Sequence, residues 1–367
     1  MKLTLFIGHH KTGSTSLQTY LAENYQRLLS KSILYPAVDA KGLAANLASL
    51  LRGHDLKGPM NINIREPHNA LAFVLLNEAN NFIIPEWHQN LLSGFQMFQL
   101  IEEQIKALGP EHTILCSEVM TLMSEKGWDK IMPRIHKRFN GYECSLVLNL
   151  RRIDEYLASW HLQRLKFGTS HAPLRFGAHR SYYRTAHFRY DQIVSRWSSA
   201  LPEARFVVRN YSDVVRSGGT IADFFRQAKI DFDVGELALN LNRSIPYALA
   251  EIVRKANAQI PQHRHELLSY VMSASARIPF AANKEVELYG MEHRALLIKA
   301  FAPVHRNLSS LVGVNDFFHD MDGAAQCRAI PELDAAKDAL DALRKDMKDI
   351  DLSQSVRNFL SCLELNP

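Results

Sequence analysis

Cysteine is scarce in this chain, with four residues in 367: Cys116, Cys144, Cys327 and Cys362. None forms a CxxC pair, so neither a zinc site nor a disulfide framework is indicated, and a reducing, cytoplasmic compartment is expected. Long apolar runs are lacking too. The stretch from Lys2 to Gly8 is apolar for only a few residues, too short for a signal-peptide core and without a small-residue cleavage site. No segment approaches the ~20 apolar residues of a membrane span. Internal repeats and low-complexity tracts are not evident. With 47% hydrophobic and 22% charged residues, the composition excludes disordered, collagen-like and coiled-coil readings.

Charge of either sign is barely in excess. The 43 basic and 38 acidic side chains leave +5, which suits an anionic ligand but does not argue for nucleic acid. At one domain per ~150 residues, the length corresponds to about two domains, or to one large domain with insertions.

Four short, buried strands are predicted: residues 2 to 7, Thr113 to Ser117, Cys144 to Leu150, and Arg205 to Val208. Helical patterns alternate with them, which predicts an α/β fold with a mainly parallel sheet covered on both faces. Ligands in such folds bind beyond the carboxyl ends of the strands. Residues 36–110 are less regular, with helix-like runs at Leu43 to Leu51 and Leu91 to Leu108, and read as a helical insertion over the site. After about residue 230 the pattern turns helical. Leu333, Ala336, Leu340, Leu343 and Met347 form one stripe there. The expected division is an α/β domain over 1–260 and a mainly helical carboxyl-terminal extension over 261–367.

Between the first strand and the first helix stands Gly8-His-His-Lys-Thr-Gly-Ser-Thr-Ser16. At such a junction unpaired backbone N–H groups and the helix dipole converge on one anion, so the segment reads as a phosphate loop. A turn in which Ser14 caps the helix is the alternative reading of the same residues. The GxxxxGK[ST] pattern places lysine after the second glycine, whereas here Lys11 precedes Gly13 and Ser14 follows it, which disfavours a nucleoside triphosphate with magnesium.

A second element, Leu150-Arg-Arg-Ile-Asp-Glu-Tyr-Leu-Ala-Ser159, leaves a strand through arginine and enters a helix. Helical side chains lean toward the amino terminus, so Ser159 points back toward the strand end where Arg151 emerges. A guanidinium and a hydroxyl suit a second phosphate.

Residues 8 to 18 resemble the 5′-phosphosulfate loop of sulfotransferases, in particular bacterial ones with an HKTG[ST]TS-type motif, and residues 150 to 159 resemble their 3′-phosphate motif. The resemblance covers roughly residues 1–260, with weaker echoes at Thr113 to Glu118, Val207 to Asp213, Gly218 to Phe225 and Leu241 to Ser244. Arg152 and Ile153 stand where many eukaryotic members carry Asp-Pro, so the match is to the bacterial branch. The resemblance implies a three-layer, P-loop-like sheet flanked by helices. It implies 3′-phosphoadenosine 5′-phosphosulfate as donor and a hydroxyl acceptor, a carbohydrate or another small metabolite. It places His10, Lys11, Thr12, Gly13, Ser14, Thr15 and Ser16 on the 5′-phosphate loop and Arg151 with Ser159 on the 3′-phosphate.

Lys11 suits neutralisation of the departing phosphate, and Glu118, expected just past a central strand where sulfotransferases of several branches place their catalytic acid or base, is by that resemblance the base that takes the acceptor proton, against a helix N-terminal or ion-pair carboxylate. His10 is the rival base, since an imidazole titrates near neutrality. From Tyr156 to Tyr190 acidic residues are absent, while Arg164, Lys166, Arg175, Arg180, Arg184 and Arg189 occur with four histidines and interleaved aromatics. That segment reads either as a lid over a polyanion or as a solvated basic loop. Arg209, Tyr211, and Arg243 with Ser244 are further candidates for the donor site, against ordinary ion pairing. His263 and His265 lack a companion cluster at ligand spacing, and no metal is assigned. Two other readings remain from the residues: a 3′-phosphonucleotide-binding module without turnover, and a nucleotide-dependent kinase.

Overall fold

Continuously apolar strands need cover on both faces. The computed structural model, which describes residues 1–367 except 54, 55, 57, 59, 89, 126, 236–243 and 367, supplies it. Strands β1 (Lys2–Phe6), β2 (Ile33–Leu34), β3 (His112–Cys116), β4 (Glu143–Leu150) and β5 (Arg205–Asn210) form one sheet in the order β2-β3-β1-β4-β5. Every pairing in it is parallel. The four predicted strands are thus present, and β2 joins them at one edge. Phe6 lies in register with Cys116 and Val147, and Leu5 with Leu115 and Leu146. All six are buried, so both faces of the sheet are covered.

The helices in chain order are α1 (Ser14–Glu23), α2 (Tyr25–Leu29), α3 (Ala40–Arg52), α4 (Ile62–Arg65), α5 (Pro67–Asn80), α6 (Gly94–Leu108), α7 (Trp128–Phe139), α8 (Ile153–Lys166) and α9 (Tyr190–Ala200). They continue with α10 (Tyr211–Arg216), α11 (Gly219–Gln227), α12 (Ala250–Gln259), α13 (Arg264–Ala274), α14 (Gly290–Val312), α15 (Met321–Ala325), α16 (Glu332–Asp346) and α17 (Gln354–Cys362). By compactness the chain divides into one unit of Met1–Arg151, Arg189–Leu241 and Val304–Phe317, and another of Arg152–Phe188, Asn242–Pro303 and Phe318–Pro367. Among the described residues no helix is long and apolar enough to cross a membrane.

The first unit carries the sheet. On one face Phe6, Cys116 and Val147 pack with Leu17 and Tyr20 of α1 and Phe224 of α11, and the Phe6 and Phe224 rings meet edge to face at 5.7 Å. Burial of each such side chain contributes roughly 1.5–3 kcal/mol. Elsewhere in this unit Trp128 of α7 and Trp197 of α9 meet at 5.9 Å. The irregular 36–110 region holds α5 besides the two expected helical runs. Helix α3 is inverted in polarity: it buries Asn46 and Ser49 and leaves Leu47 and Leu51 exposed.

The second unit is mostly helical, with a minimal parallel pair, β6 (Val286–Glu287) and β7 (Ile330–Pro331). Ala336, Leu340 and Leu343 of the predicted α16 stripe are buried. Much of the basic segment is internal here. Arg175 is ion-paired to Glu251 at 3.0 Å and to Glu332. His161, His179, Tyr182 and Phe188 are buried, and Arg164 donates to the Tyr182 hydroxyl at 3.1 Å. The missing acids are supplied by later segments, which a local count of charge does not reveal.

Candidate active site

Strand order locates the site. From β1 the sheet grows through β3 on one side and through β4 on the other, so the crevice beyond the carboxyl end of β1 is a topological switch point. The loop 8–16 leaves β1 there, bordered by Ser117 and Glu118 after β3 and by Arg151 after β4.

Ile7 N–H donates to Val147 O at 3.0 Å and His9 N–H to Asn149 O at 3.2 Å, which continues the β1–β4 ladder into the loop. The Thr12 hydroxyl then folds back onto the His9 carbonyl at 2.5 Å, and the Thr220 hydroxyl of α11 donates to the Thr12 carbonyl at 2.8 Å. Lys11 and Gly13 adopt left-handed conformations, with φ of 63° and 81°. Left-handed residues interspersed in a turn gather backbone N–H groups into an anion-binding concavity, and a non-glycine residue held there stores strain of a kind common at functional sites. Gly13 is the helix cap, and Ser14 begins α1 rather than capping it. The first intrahelical bond runs from Leu17 N–H to Gly13 O at 3.1 Å. The amides of Ser14, Thr15 and Ser16 therefore have no intrahelical acceptor and face the positive end of the helix dipole.

Glu118 opens a 3-10 turn (Glu118–Ser124) capped by the Ser117 hydroxyl, which accepts from Val119 N–H at 3.2 Å. Its carboxyl is buried, and one oxygen, Oε2, has no hydrogen-bond partner. Burial, then the nearby Glu66 carboxylate, push its pKa up to about 7, while hydrogen bonds from Asn69 and Ser14 pull the other way. His10 moves in the opposite sense: burial, then the charge of Lys11, push its pKa down to about 4. At neutral pH His10 is an uncharged and weak base, whereas Glu118 is poised near its midpoint.

Sequence reasoning missed the partners of Glu118. The Asn69 amide donates to Glu66 Oε2 at 2.9 Å and to Glu118 Oε1 at 3.4 Å. Its oxygen accepts from the Ser117 hydroxyl at 2.7 Å and from Gln18 Nε2 at 3.0 Å. Glu66 is in turn paired with Arg65 at 2.6 Å. The available signal was Pro67, favoured at the first helical position and followed by an apolar run, which marks α5. Nothing local tied Asn69 to a carboxylate 49 residues away.

Arg151 ends the first segment of the first unit. Its carbonyl accepts from the Tyr190 hydroxyl at 3.0 Å, and its guanidinium lies over the Tyr211 ring at 5.8 Å. Tyr190 also meets His9 edge to face at 5.1 Å, so one aromatic side chain touches both the loop and the end of β4. Ser159 lies in the second unit, buried on the second turn of α8. Arg209 is committed to Asp223 at 3.2 Å, the ordinary ion pairing weighed for it. Arg243, with Leu241 and Asn242, lies outside the described residues.

No protein-family profile matches the chain. Over 149 residues, 39% of its length, it is 27% identical to an uncharacterized protein of Archaeoglobus fulgidus, and it spans 40% of that curated relative's length. Among solved structures, a sulfotransferase from Alicyclobacillus acidocaldarius aligns over 86% of this chain and 97% of its own, at 13% identity and a TM-score of 0.37.

Proposed function

We propose that the chain is a sulfotransferase that moves a sulfuryl group from 3′-phosphoadenosine 5′-phosphosulfate to a hydroxyl of a carbohydrate or another small metabolite. One observation carries the reading: a phosphate-type loop with lysine before its second glycine stands at the switch point of a parallel sheet, beside a buried carboxyl that titrates near neutrality. The likeness of residues 8 to 18 and 150 to 159 to the family motifs supports it.

In this reading the amides of residues 12 to 15 and the Lys11 ammonium hold the 5′-phosphate and take up the charge it gains on leaving. Arg151, on the motif that resembles the family's 3′-phosphate element, holds the 3′-phosphate. Glu118 accepts the acceptor's hydroxyl proton as the new S–O bond forms and the bond from sulfur to the phosphate oxygen breaks, so 3′-phosphoadenosine 5′-phosphate departs. Glu118 Oε2 has a free lone pair for that proton. The transition state spreads charge over nonbridging oxygens, and in-line positioning with charge neutralisation does most of the work. No residue is assigned to a metal.

The test is transfer of label from 35S-labelled donor to a panel of saccharide and phenolic acceptors, without magnesium, by the wild type and by Glu118→Gln. Label moved by the wild type and lost in the variant supports the assignment. A wild type that binds donor and moves no label to any acceptor class favours a binding module, and phosphoryl transfer from 32P-labelled adenosine triphosphate in a parallel assay with magnesium favours a kinase.

A further inference from the structure

Two carboxylates buried side by side repel, and one of them ordinarily takes up a proton. Glu66 and Glu118 are such a pair, both buried, and the groups around them decide which one keeps its charge. Arg65 contributes Nε at 3.0 Å and a terminal nitrogen at 2.6 Å to Glu66 Oε1. Glu66 also sits at the amino end of α5, where the helix dipole favours negative charge. Glu118 likewise begins a helical turn, so the pairing with Arg65 is what distinguishes Glu66.

The remaining titratable neighbours carry no charge. Cys116 on β3 and Tyr35, after β2, are buried and feel the two carboxylates, which pushes the pKa of thiol and phenol well above their ordinary values and keeps both protonated. His68 on α5 accepts the Cys116 amide at Nδ1 (3.1 Å), and burial drives its pKa down to about 3, so it is neutral. The negative charge that Glu118 meets therefore comes from Glu66.

Asn69 joins the pair. Its oxygen is fixed by two donors, Gln18 and Ser117, so its nitrogen must face the carboxylates, one hydrogen toward each. Glu66 and Asn69 stand three residues apart at the start of α5, on neighbouring positions of one helical face. We propose that Asn69 and Glu66 are positioning residues for Glu118: the Asn69 amide aims one Glu118 oxygen and leaves the other for the acceptor hydroxyl, and Glu66, held by Arg65, stands as a second carboxyl beside it. The assignment of Glu118 as base rests on the proposed function. The dyad itself is a property of the unliganded protein.

The two positioning residues act on Glu118 with opposite signs. Glu66→Gln removes a like charge and lowers the Glu118 midpoint, whereas Asn69→Ala removes a hydrogen bond to the charged form and raises it. Carbonyl 13C NMR on glutamate-labelled, full-length protein, with Glu118 identified from the spectrum of Glu118→Gln, reads the midpoint without substrate. The expected shifts are about one pH unit in each direction. Equal shifts of one sign in both variants, or none, overturn the proposal. Should Glu66→Gln fail to fold, Asn69→Ala alone still decides by the sign of its shift. If the midpoints move as expected while the pH profile of sulfate transfer stays in place, the dyad stands and Glu118 is not the base.

Discussion

The Thr220 hydroxyl stands where a side chain on Gly13 would have to go: a Cβ there would lie 2.3 Å from Thr220 Oγ1. Helix α11 is thus pressed against the phosphate-type loop, and Gly13 is required both by this contact and by its left-handed φ of 81°.

Gly13→Ala is expected to cost about 2 kcal/mol, the sum of left-handed strain of about 1 kcal/mol and the clash. Thr220→Ala in the same chain removes the 2.3 Å contact with Oγ1 but keeps the residue's Cβ 2.9 Å from the new methyl, so it relieves the clash in part and leaves the strain. Urea melts of the single and double variants check this, and a double variant no more stable than Gly13→Ala would contradict the packing described.

Burial of neutral histidines gives the stability a definite pH dependence. His10, His112 and His179 have their pKa values pushed down to about 4, chiefly by burial. Below the unfolded value near 6.5 the unfolded chain binds the extra protons, so stability is lost as pH falls from 6.5 through 4, on the order of 1 kcal/mol per histidine. Glu118 has the opposite sign: its raised pKa favours the fold below the ordinary carboxylate range, an advantage lost as pH rises through about 7. Melts of the wild type at pH 7 and pH 5 should show the histidine loss. The difference between wild type and Glu118→Gln should grow in favour of the variant from pH 5 to pH 8.

Lys11→Ala is expected to lower the transfer rate about a hundredfold or more, by removing charge where the leaving phosphate gains it. Arg151→Ala should chiefly weaken donor binding, by ~1.5–3 kcal/mol for a charge-assisted contact. Initial rates and donor titrations separate the two. An unchanged donor dissociation constant in Arg151→Ala would remove Arg151 from the 3′-phosphate.

In the second unit Arg175→Ala strips a cation from buried Glu251 and Glu332, which is expected to cost about 3 kcal/mol. If Arg175 serves the fold of that unit alone, thermal melts shift while the nucleotide affinity of the folded variant does not. A stable variant with weakened nucleotide binding would contradict that.

The parallel sheet was legible because β1, β3 and β4 are largely buried and read as apolar runs and β5, half-buried at the sheet edge, still carries the apolar residues 206–208, while β2, two residues long, gives no periodic signal. Glu118 was visible as a carboxylate just past a strand. Glu66, Asn69 and Gln18 were not, because tertiary packing across tens of residues brings Glu66 and Asn69 to it, and Gln18 reaches it only through Asn69. Arg175 was misleading for the same reason: its acids lie 76 and 157 residues further along the chain.

The most direct test of the central claim is calorimetry of 3′-phosphoadenosine 5′-phosphate without magnesium, beside adenosine 5′-monophosphate and adenosine triphosphate. Micromolar binding that depends on the 3′-phosphate is expected, a difference of about ten- to hundredfold in affinity for a contact worth ~1.5–3 kcal/mol. Equal affinity for the monophosphate, or preference for the triphosphate, would contradict it.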